Sequence, residues 1–398
     1  MPGLTGRRVL VTGGTGFIGG RLVEKLVLEH GARVRVLTSN YAGASRVSRF
    51  DVELVRGDVA VADDVLHAAA GCDAIFHCAY GSRGSDADRR RVTVEGTRAV
   101  LDAALAHRAR VVHVSTMVVY GVGVAGRLDE SAPRRPSGIG YADTKIEAER
   151  LALSYATERG LGVSVIQPTA VYGPYAPSWT VRVLTSLLTG RVVLVDGGVG
   201  HANPVYIDDV VDAMLLAAER DEAQGEAFLI SSGETVTWRE FYAAFEAMLG
   251  VSATVSMTSD EAKAHYAAAQ RRRSVVPELL ALARDDKAVR ARLAKTRELA
   301  ALYGLLKPLA TSRLLGPLVS RAKPRARPAA ARRAPEDQGR IAPVHPKQVD
   351  FLAAKTVVTP DKARRLLGFE PAFDFPRGID LTERWARWAN LLPDGEPT

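Results

Sequence analysis

The chain has 398 residues, 47% of them hydrophobic and 25% charged, with a formal net charge of +8 and only two cysteines. The apolar content excludes wholesale disorder, and Cys72 and Cys78 alone exclude a disulfide scaffold for a chain this long. The positive charge is concentrated between Arg271 and Arg340, where eighteen Lys and Arg face six Asp and Glu; the rest is slightly acidic, which argues against a nucleic-acid-binding fold.

Residues 1–8 contain no apolar stretch, and no run of eighteen apolar residues follows, so the expectation is a cytosolic chain without leader or membrane span. Residues 8–13 then form an apolar run that predicts a strand ending in glycine, and a helical pattern through Leu22, Val23, Leu26 and Val27 stops at Gly31. Further strands are expected at 33–37, 52–55, 74–78, 111–115 and 163–167, with helices at 61–70, 91–107, 141–158 and 178–189 between them. This alternation predicts an α/β fold with a doubly wound parallel sheet, whose ligand sites lie at the carboxyl ends of the strands.

Beyond residue 175 the pattern loosens into a smaller, discontinuous C-terminal α/β lobe. Strands are expected at 205–207 and 227–231, and helices at 208–218 and 237–249. The expected division is 1–175 for the dinucleotide-binding domain and 176–257 with 348–392 for the substrate lobe. Between the two pieces of the lobe lie a basic helical insertion at 258–320 and a flexible linker rich in Pro, Arg and Ala at 321–347. Basic residues such as Arg290, Arg292 and Lys295 interleave with Leu279, Leu282 and Leu293, a pattern that suits either a solvated helical lid or contact with an anionic membrane surface.

Chemistry enters at the first strand–helix junction. Gly13, Gly14, Gly16 and Gly19 provide a tight turn, close backbone approach to a pyrophosphate and close helix packing, while the helix N-terminus offers unpaired N–H groups. This context predicts dinucleotide binding. The end of the second strand reads Thr38, Ser39, Asn40, neither acidic for a ribose hydroxyl nor basic for a 2′-phosphate; Arg35, Arg46 and Arg49 are within sequence reach, so the cofactor is NAD or NADP.

Tyr141 and Lys145 are four apart on an expected helix, one turn from each other on one face. A neighbouring cation lowers a phenol pKa toward a range useful for proton exchange with a hydroxyl or carbonyl. The strand at 111–115 ends in the hydroxyls of Ser115 and Thr116, one of which can reach the reacting oxygen at the same crevice. Asp208 and Asp209 read as helix-capping residues rather than a metal pair, and no metal site is expected. His77 and His113 read as packed strand residues, and Trp179, Trp238, Trp385 and Trp388 as packing residues.

These motifs resemble the extended short-chain dehydrogenase/reductase family, which includes nucleotide-sugar epimerases and dehydratases. The resemblance is carried by residues 12–19, Gly57-Asp58-Val59, His77-Cys78-Ala79, Val94-Glu95-Gly96-Thr97, 114–121, Tyr141–Lys145, 167–174 and a C-terminal signature at 362–371. It implies a Rossmann-like domain in which Tyr141 is the acid/base, Lys145 holds the nicotinamide ribose and acidifies Tyr141, and Thr116 assists. It further implies that the dinucleotide meets Gly13, Gly16, Phe17, Ile18, Thr38, Asp58, Val59, Ala79, Tyr141, Lys145 and Pro168, with Thr169 nearby.

Three departures bear on substrate. Family dehydratases carry Asp-Glu after the Ser/Thr, where this chain has Met117-Val118; galactose-type epimerases carry an arginine for the substrate diphosphate at about Ala202; and the family's helical Asn is Thr93. The expected function is therefore an NAD(P)-dependent epimerase or ketoreductase acting on a carbinol or carbonyl carbon, with a nucleotide-linked sugar as the favoured substrate. A hydroxysteroid-type dehydrogenase of an apolar alcohol is the alternative, and a non-catalytic dinucleotide sensor the remote one. The resemblance also implies a homodimer.

Overall fold

Strand-forming residues dominate the runs that build the central sheet of this computed structural model, which describes residues 3–82, 84–138, 140–272 and 339–393. Its strands are β1 (Arg8–Thr12), β2 (Arg33–Thr38), β3 (Val52–Arg56), β4 (Ala74–His77), β5 (Arg110–Val114), β7 (Val163–Pro168) and β11 (Ala227–Ile230). All neighbours are parallel, in the order β11-β7-β5-β4-β1-β2-β3. A parallel sheet must be covered on both faces, which is why β4 and β7 are buried at every position instead of alternating.

Two hydrophobic clusters cover those faces. On one side Val9, Val11, Val36 and Phe76 pack with Leu22 and Val23 of α1 (Phe17–Leu28) and Val210 and Met214 of α7 (Ile207–Glu219). On the other, Leu10, Ile75, Val111 and Val163 pack with Val65 of α2 (Ala62–Ala68), Val100 and Leu101 of α4 (Gly96–His107) and Ala152 and Tyr155 of α5 (Gly140–Arg159). Each fully buried aliphatic contributes about 1.5–3 kcal/mol relative to exposure. The strand order reverses beside β1, opening a crevice at the carboxyl ends of β1 and β4.

The expected boundary at residue 175 is crossed by the fold. Residues 227–231, expected in the lobe, form β11 and pair with β7 at the edge of the central sheet, and α7 packs on that sheet too. The reason is that β7 is buried at every position and needs a partner for the backbone groups on its open edge. The expected strand at 205–207 is β10 (Pro204–Tyr206), paired with β8 (Ala170–Tyr172) immediately after β7.

The lobe proper contains α6 (Arg182–Thr189), β9 (Val192–Val195), α8 (Trp238–Leu249), β12 (Thr254–Met257), α9 (Ser259–Arg272), α10 (Pro346–Ala353) and α12 (Phe375–Trp388). β9 pairs with β12, and Trp238, Phe241 and Phe245 fill its core. Thr237 starts α8 through a reciprocal capping box with Glu240. The lobe is discontinuous as expected: β13 (Thr356–Val358) returns to pair with β6 (Gly126–Leu128). In the C-terminal signature, Gly368 closes α11 (Asp361–Leu367) at φ +68, a left-handed cap that a glycine adopts freely, and Phe369 is then buried. α3 (Asp86–Arg90) precedes a π-turn at Arg91–Glu95 that leads into α4. The 321–347 linker and the 258–320 insertion lie largely outside the described residues.

Two smaller expectations change. Asp208 and Asp209 do not cap α7. Asp208 is bound by Arg21 through Nε at 2.7 Å and Nη2 at 2.8 Å, and Asp209 accepts the Ala372 N–H at 2.7 Å, because partners from α1 and the C-terminal segment reach them first. Trp388 is 73% exposed, at the last turn of α12, and packs nothing in.

Candidate active site

The sequence-predicted residues converge on one rim. Gly13, Gly16, Phe17 and Ile18 follow or lie at the end of β1, Thr38 ends β2, Asp58 and Val59 follow β3, Ala79 follows β4, Thr116 follows β5, and Pro168 ends β7. Parallel strands point their carboxyl ends the same way, so residues scattered over 150 positions share one edge.

Gly13 has φ +69, and a Cβ there would meet the Ala79 nitrogen at 2.7 Å and the Cys78 carbonyl carbon at 2.8 Å. The glycine loop therefore lies directly against the chain leaving β4. α1 begins at Gly16 with no side-chain cap and no acidic residue in its first turn, which leaves its first N–H groups for an anion. Both features suit a dinucleotide pyrophosphate.

At the end of β2, Thr38 is buried and its hydroxyl is spent on the Asn40 backbone, while Asn40 caps the following turn. Two of the nearby arginines, Arg35 and Arg46, are committed elsewhere, while Arg49 is loosely paired and exposed and Arg56 stands exposed in register with Thr38. Arg35 bonds Glu53 at 2.8 Å and the Ala68 carbonyl at 2.7 Å; Arg46 lies over the Tyr175 ring at 4.2 Å and reaches the Phe17 carbonyl; Arg49 lies 3.8 Å from Glu24. After β3, burial works against ionised Asp58, but the Ala60 N–H and the Arg91 guanidinium at 3.0 Å hold its carboxyl below the usual range.

Thr116, Tyr141 and Lys145 do come together. The Thr116 hydroxyl lies near enough to the Tyr141 phenol to lower its pKa. Lys145, 2% exposed, donates to the Val114 carbonyl at 2.7 Å and stands 5.5 Å from the centre of the Tyr80 ring. The expected acidification of Tyr141 is not what the structure has. Loss of water around its hydroxyl, aided by Tyr80, pushes the phenol up to about 12 although the residue as a whole is 39% exposed, and only Thr116 opposes the rise. Lys145 is bound to β5 rather than to the phenol, so it does not offset that burial. Burial also pushes Lys145 down to about 8, against the pull of Cys78 and Glu149.

Sequence reasoning passed over two features here. Tyr80, 46% exposed, meets Tyr141 edge to face at 5.8 Å. Ser115, Glu149, Gln167, Tyr120 and Arg134 form a buried hydrogen-bonded network behind the rim. The available signal for the second was spacing, since Glu149 follows Lys145 by one further turn. His77 is packed as expected, its ring nitrogens meeting Thr12 at 2.6 Å and Thr97 at 3.0 Å, and burial pushes it down to about 3. Thr93 accepts the Gly81 N–H at 2.9 Å and anchors the loop after β4. Ala202 and Asn203 are both buried, and Asn203 is spent on the backbone of β13.

This sheet, its rim and the Thr–Tyr–Lys set define an oxidoreductase of the extended short-chain dehydrogenase/reductase class acting on a small molecule. Such a class spans many substrates, and comparison with known proteins narrows it to a family. The chain belongs to the NAD-dependent epimerase/dehydratase family, whose model matches residues 9–231. It is similar to a 4-hydroxy-2-methyl-3-oxo-4-farnesyl-3,4-dihydroquinoline-1-oxide ketoreductase of Stigmatella aurantiaca, 34% identical over 254 residues that cover 62% of this chain and 75% of that one. It is likewise similar to a dTDP-glucose 4,6-dehydratase of Mycobacterium tuberculosis, 35% identical over 242 residues that cover 56% of this chain and 72% of that one. Among solved structures, DesIV, a dTDP-glucose 4,6-dehydratase from Streptomyces venezuelae with NAD bound, shares the fold at TM-score 0.64 and 23% identity over 96% of this chain and 97% of its own. Among the described residues, no helix is long and apolar enough to cross a membrane.

Proposed function

We propose that the protein is a ketoreductase or hydroxyl dehydrogenase that transfers hydride at a carbonyl or carbinol carbon of a small molecule with an apolar body. The observation that carries this reading is the convergence of Tyr141 and Lys145 on the end of β5 that leads into Thr116: Lys145 donates to the Val114 carbonyl at 2.7 Å, and Tyr80 stands against both Tyr141 and Lys145. A bound nicotinamide supplies or accepts the hydride. Tyr141 gives a proton to the substrate oxygen or takes one from it, and Thr116 hydrogen-bonds the same oxygen. Lys145 holds the nicotinamide ribose. The loop from Gly13 to Ile18 takes the pyrophosphate, while Asp58, Val59 and Ala79 border the adenosine half and Pro168 the carboxamide.

Elimination needs a carboxyl acid beside the substrate. Met117 and Val118 occupy the position, and the buried Glu149 nearby is already held by Ser115, Gln167 and Arg134. An apolar substrate is supported by the rim itself: Tyr80 and Tyr141 are the exposed aromatic surfaces at the site, and the buried Ala202–Asn203 turn presents no cation to a diphosphate. The commitment of Arg35 and Arg46 supports NAD; Arg56, exposed and in register with Thr38, is the residue that would meet the 2′-phosphate of NADP. A second reading, epimerisation of a nucleotide-linked sugar, has its support in the similarity to the dTDP-glucose dehydratase.

The test is to denature the purified protein, identify any released dinucleotide by mass spectrometry, and then follow NADH consumption with alkyl and steroid ketones. Consumption of NADH with such a ketone supports the proposal. Retained NAD with conversion of UDP-glucose or dTDP-glucose and no NADH consumption would replace it with the epimerase reading. A homodimer and a peripheral membrane contact through residues 258–320 belong to the proposal as well, supported by the family resemblance and by the basic charge of that segment. Sedimentation and flotation with anionic vesicles test them.

A further inference from the structure

Behind Thr116 and Lys145 lies a buried carboxylate that the proposed reaction does not use. Glu149 is 1% exposed and sits one turn beyond Lys145 on α5. Its Oε2 accepts the Ser115 hydroxyl at 2.6 Å, its Oε1 accepts Arg134 Nε at 2.8 Å, and both oxygens accept Gln167 Nε2 at 2.9 Å. The clamp is itself braced. The Tyr120 hydroxyl donates to Gln167 Oε1 at 2.8 Å, and the Arg134 guanidinium stands 5.1 Å from the centre of the Tyr120 ring while donating to the Glu130 carbonyl.

Four side chains, Ser115 just after β5, Tyr120 in the turn beyond it, Arg134 in the 129–135 loop and Gln167 on β7, thus fix one carboxylate of α5. Desolvating an ion pair costs several kcal/mol per ion, so such a pair is weak evidence for stability alone. The place of Glu149 is more telling: Lys145 donates to the carbonyl of Val114 while Glu149 accepts from the hydroxyl of Ser115, the very next residue, so both side chains of α5 end at the same point of the chain leaving β5. The groups around Lys145 are Cys78 and His77 from β4 and its end, His113 from β5, Tyr80 from the next loop, and Tyr141 and Glu149 from its own helix. Glu149 is the one carboxylate among them. Burial keeps His77 and His113 neutral and pushes the Cys78 thiol up to about 12.

We propose that Glu149 is a positioning residue for Lys145: the clamp of Ser115, Gln167 and Arg134 holds its carboxylate where it faces the buried ammonium and keeps that ammonium charged for the cofactor ribose. Arg134 is the counterweight, neutralising part of the charge that Lys145 feels. This inference rests on the reading of Lys145 given above.

The experiment uses the full chain labelled with 13C at the lysine ε-carbon, the Lys145 signal being assigned by its loss in Lys145→Met. Its titration midpoint is read without any substrate. Glu149→Gln removes the anion and leaves Arg134, so the midpoint falls by about one pH unit; Arg134→Gln unbalances the carboxylate, so the midpoint rises. Opposite signs are an electrostatic signature that loss of packing does not produce. Midpoints that stay in place, or that move together in one direction, overturn the proposal. If Glu149→Gln fails to fold by circular dichroism, the rise in Arg134→Gln decides alone. Adding NADH to the unmutated protein separates the two claims: a Lys145 signal indifferent to NADH removes the ribose reading but leaves the Glu149 result standing.

Discussion

Lys145 and Val114 are joined by a hydrogen bond of 2.7 Å from the Lys145 ammonium to the Val114 carbonyl. Val114 is the last residue of β5 and Lys145 lies in the second turn of α5, so this bond locks the helix carrying Tyr141 to the strand that delivers Thr116. The two groups that meet at the substrate oxygen are therefore held by a third that sits below them. An apolar contact could not set the helix rotation so closely, because only a directed bond to a backbone acceptor discriminates one register from the next.

Replacing Tyr141 by Phe removes the phenol proposed to exchange the proton and keeps the ring and the other residues proposed to hold the cofactor. Turnover should fall by about 10²-fold or more, while NADH binding measured by fluorescence stays within a factor of two or so. Equal losses in both would place Tyr141 in cofactor binding alone.

The pH dependence has a definite sign. Lys145 is pushed down to about 8 by burial, so its ammonium is lost in the folded protein as pH rises through that value. The cofactor affinity and the rate should decline with a midpoint near 8, well below the ordinary lysine range. A profile flat to pH 10 would show that the charge on Lys145 is not required.

Gly13→Ala tests the pyrophosphate loop. At φ +69 the added Cβ stands 2.7 Å from the Ala79 nitrogen, so the loop must move off the end of β4. NADH affinity should drop at least about tenfold, equivalent to about 1.4 kcal/mol, with urea stability reduced by about 1 kcal/mol or more. Retained affinity would show that the dinucleotide binds elsewhere.

Asp209 supplies a stability switch remote from the chemistry. Burial raises its carboxyl to about 7, against an ordinary value of 3.8, although the Ala372 N–H partly offsets this. Between these values the folded chain keeps a proton that the unfolded chain has released, so this group makes stability fall as pH rises toward 7 and adds no further slope above it. Asp209→Asn should match the unmutated protein near pH 4 and exceed it at pH 8 in thermal midpoint. A variant less stable at both pH values would mean that the ionised carboxylate is the favoured partner of the 372–373 backbone.

Much of the molecule was legible in order along the chain. The apolar runs marked β1 to β5 and β7 to within a residue or two, because the central parallel strands, buried on both faces, read as continuous apolar runs, and β3 at the sheet edge keeps enough apolar residues to be read beside them. Thr12 to Gly19, Thr116, Tyr141 and Lys145 were recognisable since their spacing is local. Residues 227–231 were misplaced because pairing with β7 is non-local and leaves no periodic trace. The Glu149 clamp escaped for the same reason: its partners come from positions 115, 134 and 167, and only folding makes them neighbours.

The sequence by itself determined the fold class, the dinucleotide loop and the identity of the phenol, amine and hydroxyl, since each depends on residue type and short-range spacing. The tertiary structure decided their electrostatics. It turned Lys145 toward the Val114 carbonyl instead of the phenol, left Tyr141 with a raised pKa, committed Arg35 and Arg46 to other partners, and clamped Glu149 between Ser115, Arg134 and Gln167. Charge energies depend on distance and on the loss of water around each group, and both are set by which distant segments pack together.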